Sequence, residues 1–188
     1  MVTPLKQGLT LEEFLALPEE KPALEYEDGV VTQKVSPKRR HGALQVEFAE
    51  LVNAFARSRR LARAFTETRV VLRGRSYVPD VVVYRWDRIP LDPDGKIQDG
   101  NFETPPDIAV EILSPGQSMS KAVGRCSWYV RNEVPLAVLV APDDEAVLIF
   151  RPGQPPHVVQ GAERLELDDL LPGFGLTAEQ LFGALRMS

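Results

Sequence analysis

The chain has 188 residues, of which 44% are apolar, and its formal net charge is −5. This length can bury one substantial core but is short for two, so we expect a single domain over residues 1–188, with residues 1–9 as a flexible N-terminus. The single cysteine excludes an intrachain disulfide framework and a cysteine-based metal cluster. No apolar stretch approaches the roughly 18 residues needed to span a bilayer, so we expect a soluble, cytoplasmic protein without a membrane partner.

The first third of the sequence predicts two helices and a hairpin. In "LTLEEFLALPEE", Thr10 is suited to cap a short amphipathic helix that Pro18 stops. Asp28-Gly29 lies between two short alternating runs, which is typical of a tight β-hairpin. From Arg39 to about Ser58 apolar residues recur at helical spacing, and this segment predicts the main helix: Leu44, Phe48, Leu51, Val52 and Phe55.

The rest of the sequence predicts strands around one further helix. Three strand candidates come first, "ARAFTETRVVLR", "SYVPDVVVYR" and "DIAVEILS". A helix from about Ser118 to Asn132 follows, and then two apolar strands joined by an acidic turn at Asp143-Asp144. A last strand and a short helix capped by Thr177 complete the order. This succession predicts an α/β (α+β) fold in which helices flank a mixed β-sheet.

Charge is distributed unevenly along the chain. Residues 38–75 hold ten Lys or Arg against three acids, so this segment carries +7 and the remainder −12. The arginines could complement the end of a solvated helix, or they could form a surface that faces phosphates. Both interpretations are open at the level of sequence.

Two strand carboxylates are the strongest chemical signal. Asp80 stands at the start of one apolar run, and Glu111 stands in the middle of another. A buried charge is costly unless it is paired or bound to a metal, so Glu111 requires either an arginine partner, an exposed strand face or an ion. Two carboxylates from neighbouring strands, with the carbonyl of Ile112 beside them, offer oxygen ligands to Mg²⁺ or Mn²⁺.

Basic residues on the following helix could supply the positive charge that phosphodiester chemistry needs. Lys121 and Arg125 lie four residues apart and therefore share one helix face, where either could reach a scissile phosphate. A solvated basic helix face is the alternative explanation. Glu25, just before the hairpin turn, either joins the carboxylates or is an exposed strand glutamate.

His41 opens the main helix directly after the basic residues Lys38, Arg39 and Arg40. At that position it could contact a phosphate or take part in proton transfer, or it could be inert. We therefore group these four residues as candidate nucleic-acid contacts.

The ordered set of motifs resembles one known family. These motifs are "LEEFLALPEE", "LEYEDG", His41 at a helix start, "VPDVVVY", "PPDIAVEILSP", "WYVRNEV" and "LPGFGLTAEQLF". Together they resemble the Uma-two family of restriction-endonuclease-like proteins, a branch of the PD-(D/E)XK nuclease superfamily, from about residue 9 to 185. The resemblance implies a restriction-endonuclease-like fold and a Mg²⁺- or Mn²⁺-dependent endonuclease that cleaves DNA. It also implies that Asp80 and Glu111 are the metal ligands.

One position departs from the superfamily pattern. The superfamily lysine lies two residues after the second acid, where this chain has Leu113. The family places it on the following helix, four residues before a tyrosine, and Tyr129 makes that position Arg125. An arginine keeps the charge but cannot act as a base, because its pKa lies above roughly 12. Lys121 could stand in, and Glu25 matches the family's early glutamate.

Three functions are therefore open. The first is a metal-dependent DNA endonuclease. The second is a catalytically impaired nuclease fold that acts as a nucleic-acid-binding or protein-interaction module, which the arginine substitution and the acidic net charge favour. The third is a scaffold without a ligand. We expect a homodimer, since two-fold homodimers are the commonest oligomers.

Overall fold

The computed structural model describes residues 5–187. Residues 1–4 of the predicted flexible N-terminus lie outside that range, and Lys6–Gln7 form a first short strand, β1. Helix α1, Leu11–Leu15, begins at the predicted cap. The Thr10 hydroxyl accepts a hydrogen bond from the N–H of Glu13, and the Glu13 carboxylate accepts one from the N–H of Thr10. This reciprocal pair satisfies two N–H groups that the helix itself cannot.

Eleven strands among residues 5–187 form two sheets. The five-stranded sheet has the order β1-β3-β2-β6-β5, with β2 Leu24–Glu27, β3 Val30–Gln33, β5 Val70–Leu72 and β6 Arg75–Tyr77. The six-stranded sheet has the order β11-β10-β9-β8-β7-β4, with β4 Ala62–Thr66, β7 Val81–Arg85, β8 Ile108–Ile112, β9 Leu136–Ala141, β10 Ala146–Phe150 and β11 His157–Gln160. Strands β8 and β9 are parallel, and the other paired strands are antiparallel.

Helices cover both faces of the six-stranded sheet. Helix α2, Arg39–Ala56, packs on one face together with α4, Ala178–Gly183, and α3, Met119–Arg131, connects β8 to β9 across the other. Along β7, Val81 and Val83 face the α2 side, while Val82 and Tyr84 face the α3 side. Both faces are buried, which explains why β7 reads as a continuous apolar run. The predicted mixed sheet flanked by helices is confirmed, with a second sheet in addition.

Two predicted strands are each divided between the sheets. The segment "ARAFTETRVVLR" forms β4 and β5, which are separated at Glu67, a residue with a left-handed φ of 49°. The segment "SYVPDVVVYR" forms β6 and β7, separated at Pro79, which has no N–H to donate to a ladder. The resulting long hairpin crosses from one sheet to the other. At the crossing the N–H of Glu67 donates to the carbonyl of Asp80 at 3.3 Å.

The predicted turn at Asp28-Gly29 is present between β2 and β3. Asp28 and Gly29 both have positive φ, as the two-residue hairpin between β2 and β3 requires. Across residues 5–187, none of the helices is long and apolar enough to cross a membrane.

Candidate active site

The candidate site lies where the long hairpin crosses between the two sheets. Val81 of β7 pairs with Val110 of β8, so the next residues of that register, Asp80 and Glu111, come at the same level of neighbouring strands. The carboxylate of Asp80 then replaces a strand partner, because its Oδ2 accepts the N–H of Ile112 at 2.7 Å. The structure therefore brings Asp80 against the strand end that carries Glu111 and Ile112.

One half of the site, the Glu111 half, consists of Glu25, Glu111, Arg125 and Tyr129. The Tyr129 hydroxyl donates to Glu111 Oε1 at 2.7 Å, and Nη1 of Arg125 lies 3.6 Å from the same oxygen. Arg125 also donates to both oxygens of Glu25, at 2.9 and 2.7 Å. Glu25 Oε1 accepts the N–H of Val78 at 3.0 Å as well. The two hydrogen bonds to Glu25 fix the orientation of the Arg125 guanidinium. The sequence had left two interpretations open for Arg125, a contact with the scissile phosphate and a solvated helix face.

Burial controls the charge of Glu111. Its removal from water raises the pKa of the Glu111 carboxyl to about 7, against the nearby Arg125 charge, which lowers that pKa. The negative charges of Asp80 and Glu25 add to the increase. In the metal-free protein Glu111 therefore changes its charge close to neutral pH.

The other half of the site, the Asp80 half, consists of Lys34, His41, Gln45, Glu67 and Asp80. Nζ of Lys34 lies 2.8 Å from Asp80 Oδ1 and 3.2 Å from each oxygen of Glu67. The amide of Gln45 donates to Glu67 Oε1 at 2.9 Å and to the carbonyl of Asp80 at 2.8 Å. An ammonium thus lies directly between two carboxylates.

His41 closes this half from α2. Its Nδ1 lies 3.0 Å from the Ser114 hydroxyl, and its Nε2 lies 3.3 Å from Asp80 Oδ1. The second contact is short enough for a hydrogen bond but is not aligned for one. Among the described residues, His41 Nε2 is consequently a buried polar atom without a hydrogen-bond partner. Burial alone would raise the pKa of Asp80, but His41 and the Lys34 ammonium outweigh it and hold that pKa below its ordinary value.

These donors fit a divalent cation. The ligand atoms of His41, Glu67 and Asp80 all lie within 4.8 Å of one another. A buried nitrogen without a partner beside two carboxylates is a donor set that a metal can satisfy. The set expected from sequence, the carboxylates of Asp80 and Glu111 with the carbonyl of Ile112, stays a prediction, and the observed contact between these residues is the hydrogen bond from the Ile112 N–H to Asp80 Oδ2.

The remaining predicted residues lie around this centre. Lys38, Arg39 and Arg40 are exposed at the start of α2, and Arg40 approaches Asp143 at 3.4 Å. His41 differs from them, because its side chain is only 6% exposed and is directed into the site. Lys121 is exposed in the first turn of α3 and forms no ion pair within residues 5–187, so its role stays a prediction.

Part of the basic segment has structural partners. Arg69 donates to the carbonyl of Leu24 and to the Ser76 hydroxyl, both at 2.9 Å. Arg75 pairs with Asp28 at 2.6 Å, and Arg73 pairs with Glu133. These three arginines join elements of the fold, so they do not form a phosphate-facing surface.

Sequence reasoning missed Lys34, Gln45 and Glu67. Gln45 gave a usable signal, because it lies four residues after His41 on the otherwise apolar face of α2, and a polar pair at that spacing interrupts a buried stripe. Lys34 and Glu67 gave none. One follows the end of β3 and the other lies between two strands, where periodicity carries no information.

Comparison with known proteins identifies the family and supports the fold. Among curated proteins none matches the chain. A solved structure from Anabaena variabilis, described as a "putative nuclease belonging to DUF820", superimposes with a TM-score of 0.89 at 35% sequence identity and covers 95% of this chain and 99% of that one. The family model Uma2, described as "Putative restriction endonuclease", matches residues 11–179. The chain therefore belongs to the Uma2 family.

Proposed function

We propose that the protein is a divalent-metal-dependent endonuclease that hydrolyses phosphodiester bonds of DNA. The observation that carries the proposal is the convergence of three buried carboxylates: Asp80 and Glu111 come at the same level of the neighbouring strands β7 and β8, and Glu25 of β2 shares Arg125 with Glu111. Such a concentration of buried negative charge is costly unless cations compensate it. Membership of a family of nuclease-like proteins supports a nucleic-acid substrate.

Each residue has a proposed task. Asp80, Glu111 and the carbonyl of Ile112 would hold Mg²⁺ or Mn²⁺. When bound, such an ion polarises a phosphoryl oxygen and lowers the pKa of a water molecule that attacks phosphorus. Glu25 holds Arg125 in a fixed orientation beside Glu111, where its charge can position the scissile phosphate.

Exposed basic residues extend the site to the DNA backbone. Lys38, Arg39 and Arg40 offer phosphate contacts at the start of α2, and Lys121 offers one at the start of α3. Such contacts add affinity without sequence specificity.

A catalytically impaired fold that binds nucleic acid or a protein is the second candidate. The observation in its favour is that Glu25 occupies two N–H groups of Arg125, a residue that cannot accept a proton in any case. This candidate predicts salt-dependent retention of DNA without cleavage.

One experiment separates the two candidates. Supercoiled, linear and single-stranded DNA are incubated with the purified protein under Mg²⁺ and Mn²⁺, beside Asp80→Asn and the exposed control Asp87→Asn. We expect cleavage by the wild type and by the control but not by Asp80→Asn. Equal cleavage by the wild type and Asp80→Asn would indicate a contaminating nuclease and refute the proposal.

We also propose that residues 1–188 form one cytoplasmic domain that assembles as a homodimer. The terminal segment "LPGFGLTAEQLF" buries its own apolar residues within the monomer, including Phe174, Leu181 and Phe182. A dimer would therefore use another surface. Size-exclusion chromatography with light scattering measures the molar mass and tests the oligomeric state.

A further inference from the structure

The Asp80 half contains more metal donors than the proposed nuclease centre uses. We propose that His41, Glu67 and Asp80 form a site for a divalent transition-metal ion, and that the Lys34 ammonium occupies this site in the metal-free protein. The inference deepens the proposed function and rests on its assignment of Asp80 as a metal ligand. It adds His41 and Glu67 as ligands, a transition metal as the ion, and Lys34 as a side chain that competes with the ion.

His41 is the observation that points to a ligand. Its side chain is 94% buried, and Nε2 has no hydrogen-bond partner within the described chain. A buried polar atom without a partner costs free energy, so its retention requires a compensating interaction. Ser114 contacts the opposite ring nitrogen at 3.0 Å, and a proton held there would leave Nε2 as an electron-pair donor when a metal ion binds.

The spacing of the donors fits a single ion. His41 Nε2 lies 3.3 Å from Asp80 Oδ1, and the Glu67 carboxylate completes a group whose ligand atoms are within 4.8 Å of one another. Metal bonds to nitrogen and oxygen of about 2.1 Å place two ligand atoms of one ion at most about 4.2 Å apart, so the separation of His41 and Asp80 already fits. The Glu67 side chain, which is 45% exposed, must come within the same distance of both.

Lys34 already places a positive charge among these ligands. Its Nζ contacts Asp80 Oδ1 at 2.8 Å and both Glu67 oxygens at 3.2 Å, and its side chain is only 12% exposed. The ammonium offsets part of the charge of two carboxylates that would otherwise repel each other. Its contacts with the same oxygens mean that a metal ion can bind only if Lys34 moves aside. The flexible four-carbon stem allows that movement.

The donor chemistry selects the metal. Magnesium prefers an all-oxygen shell and keeps several of its waters, whereas Mn²⁺ also suits carboxylates but, as a first-row transition metal, accepts nitrogen ligands as well. One imidazole with two carboxylates should therefore favour Mn²⁺ over Mg²⁺. Replacing the imidazole by an amide should remove much of that preference.

The test is a set of Mn²⁺ and Mg²⁺ titrations of the metal-free full chain by isothermal calorimetry. In Lys34→Met we expect Mn²⁺ to bind on the order of tenfold more tightly, because a competing charge is gone. In His41→Gln we expect Mn²⁺ affinity to fall by about tenfold or more while Mg²⁺ affinity changes little. Lys96→Met, which removes an exposed lysine elsewhere, should match the wild type.

Each half of the inference can fail separately. Unchanged or weaker Mn²⁺ binding in Lys34→Met would overturn the competitor role. An unchanged ratio of Mn²⁺ to Mg²⁺ affinity in His41→Gln would overturn the ligand role. Because that variant could unfold, electron spin echo modulation of Mn²⁺ in the wild type provides a second measurement. A coupling to imidazole nitrogen is expected, and its absence would refute His41 ligation.

Failure of this inference is distinguishable from failure of the nuclease proposal. Binding of Mn²⁺ with the expected changes but without DNA cleavage would refute only the nuclease activity. Cleavage that depends on Asp80, combined with an unchanged metal preference in His41→Gln, would refute only the present inference.

Discussion

The two halves of the site differ in how completely their polar groups are paired. In the Glu111 half, Arg125 binds both oxygens of Glu25, and Tyr129 donates to Glu111. In the Asp80 half, a lysine bridges two carboxylates and His41 Nε2 has no hydrogen-bond partner among residues 5–187. In the first half the arginine is fixed on Glu25, and in the second half the lysine holds a position that another cation can take. Buried charges in this one site are therefore compensated in two ways, by a fixed arginine in one half and by a replaceable lysine in the other.

The largest expected effect tests the buried ion pair of Arg125 and Glu25. Arg125→Met leaves Glu25 buried without its charge partner, so we expect a loss of about 3–5 kcal/mol in the free energy of unfolding. The double variant with Glu25→Gln should recover most of this loss. Urea denaturation measures both values.

A surface ion pair provides the matched control for that experiment. Arg73→Met breaks the exposed pair with Glu133 and should cost about 1 kcal/mol or less. Equal losses in Arg73→Met and Arg125→Met would contradict the distinction between a buried network and a surface pair.

The next effect tests whether the cation of the Asp80 half is replaceable. Lys34→Met should destabilise the metal-free protein by on the order of 2 kcal/mol, less than the Arg125 variant, because Glu67 is half exposed to water. Saturating Mn²⁺ should restore most of this loss, since about 2.7 kcal/mol is gained at one hundred times the dissociation constant. Thermal unfolding with and without Mn²⁺ measures the restoration. If Mn²⁺ stabilised Arg125→Met to the same degree relative to the wild type, the two halves would not differ as described.

A smaller effect concerns pH. The pKa of Glu111 in the folded protein, about 7, lies above its ordinary value of 4.5, so the folded state binds the proton more tightly than the unfolded state. The contribution of this group to stability is therefore present below about pH 4.5 and is lost as pH rises towards 7. In Glu111→Gln this loss is absent, so its Tm relative to the wild type should be higher at pH 8 than at pH 4.5.

The pH experiment is performed with a chelator, because a bound metal would change the charge of Glu111. For a protein of this size each kcal/mol corresponds to about 2–4 °C in Tm. The exposed control Glu103→Gln should show no such pH dependence. A Tm difference for Glu111→Gln that does not change with pH would contradict the assigned shift.

The smallest effect shows which half faces DNA. Lys38, Arg39 and Arg40 lead into His41 on the Asp80 side, whereas Lys121 precedes Arg125 on the Glu111 side. Each lost phosphate contact should reduce the slope of log affinity against log salt by about 0.9. We expect a larger reduction of the slope from each single alanine substitution at the three α2 residues than from Lys121→Ala. Fluorescence anisotropy over a range of salt concentrations measures the slopes, and the opposite order would place DNA against the Glu111 half.

Much of the fold could be predicted from local patterns. The Thr10 helix cap, the Asp28-Gly29 turn and the apolar stripe of α2 are each determined by neighbouring residues, and all three are present. The division of two predicted strands between separate sheets could not be predicted. An apolar alternating run has the same pattern whether its two ends pair in one sheet or in two.

The site residues likewise divide into those that the sequence pattern revealed and those that it did not. Asp80 and Glu111 stood out in the sequence because each interrupts an apolar strand. Lys34 and Glu67 did not, because a charged residue at the end of a strand is ordinary until its neighbours are known. The pairing of Arg125 with Glu25 joins residues one hundred positions apart, and no sequence spacing encodes that contact.

The sequence by itself determined the element types, the mixed fold class and the two strand carboxylates, because these depend on periodicity and on the cost of a charge within an apolar run. Only the tertiary structure decided which cation neutralises which carboxylate. The crossing between the two sheets brings β3, α2 and the start of β7 to one point, so Lys34, His41 and Glu67 surround Asp80, and Arg125 is committed to Glu25. The energy of an ion pair depends on distance and burial in space, and the order of residues along the chain fixes neither.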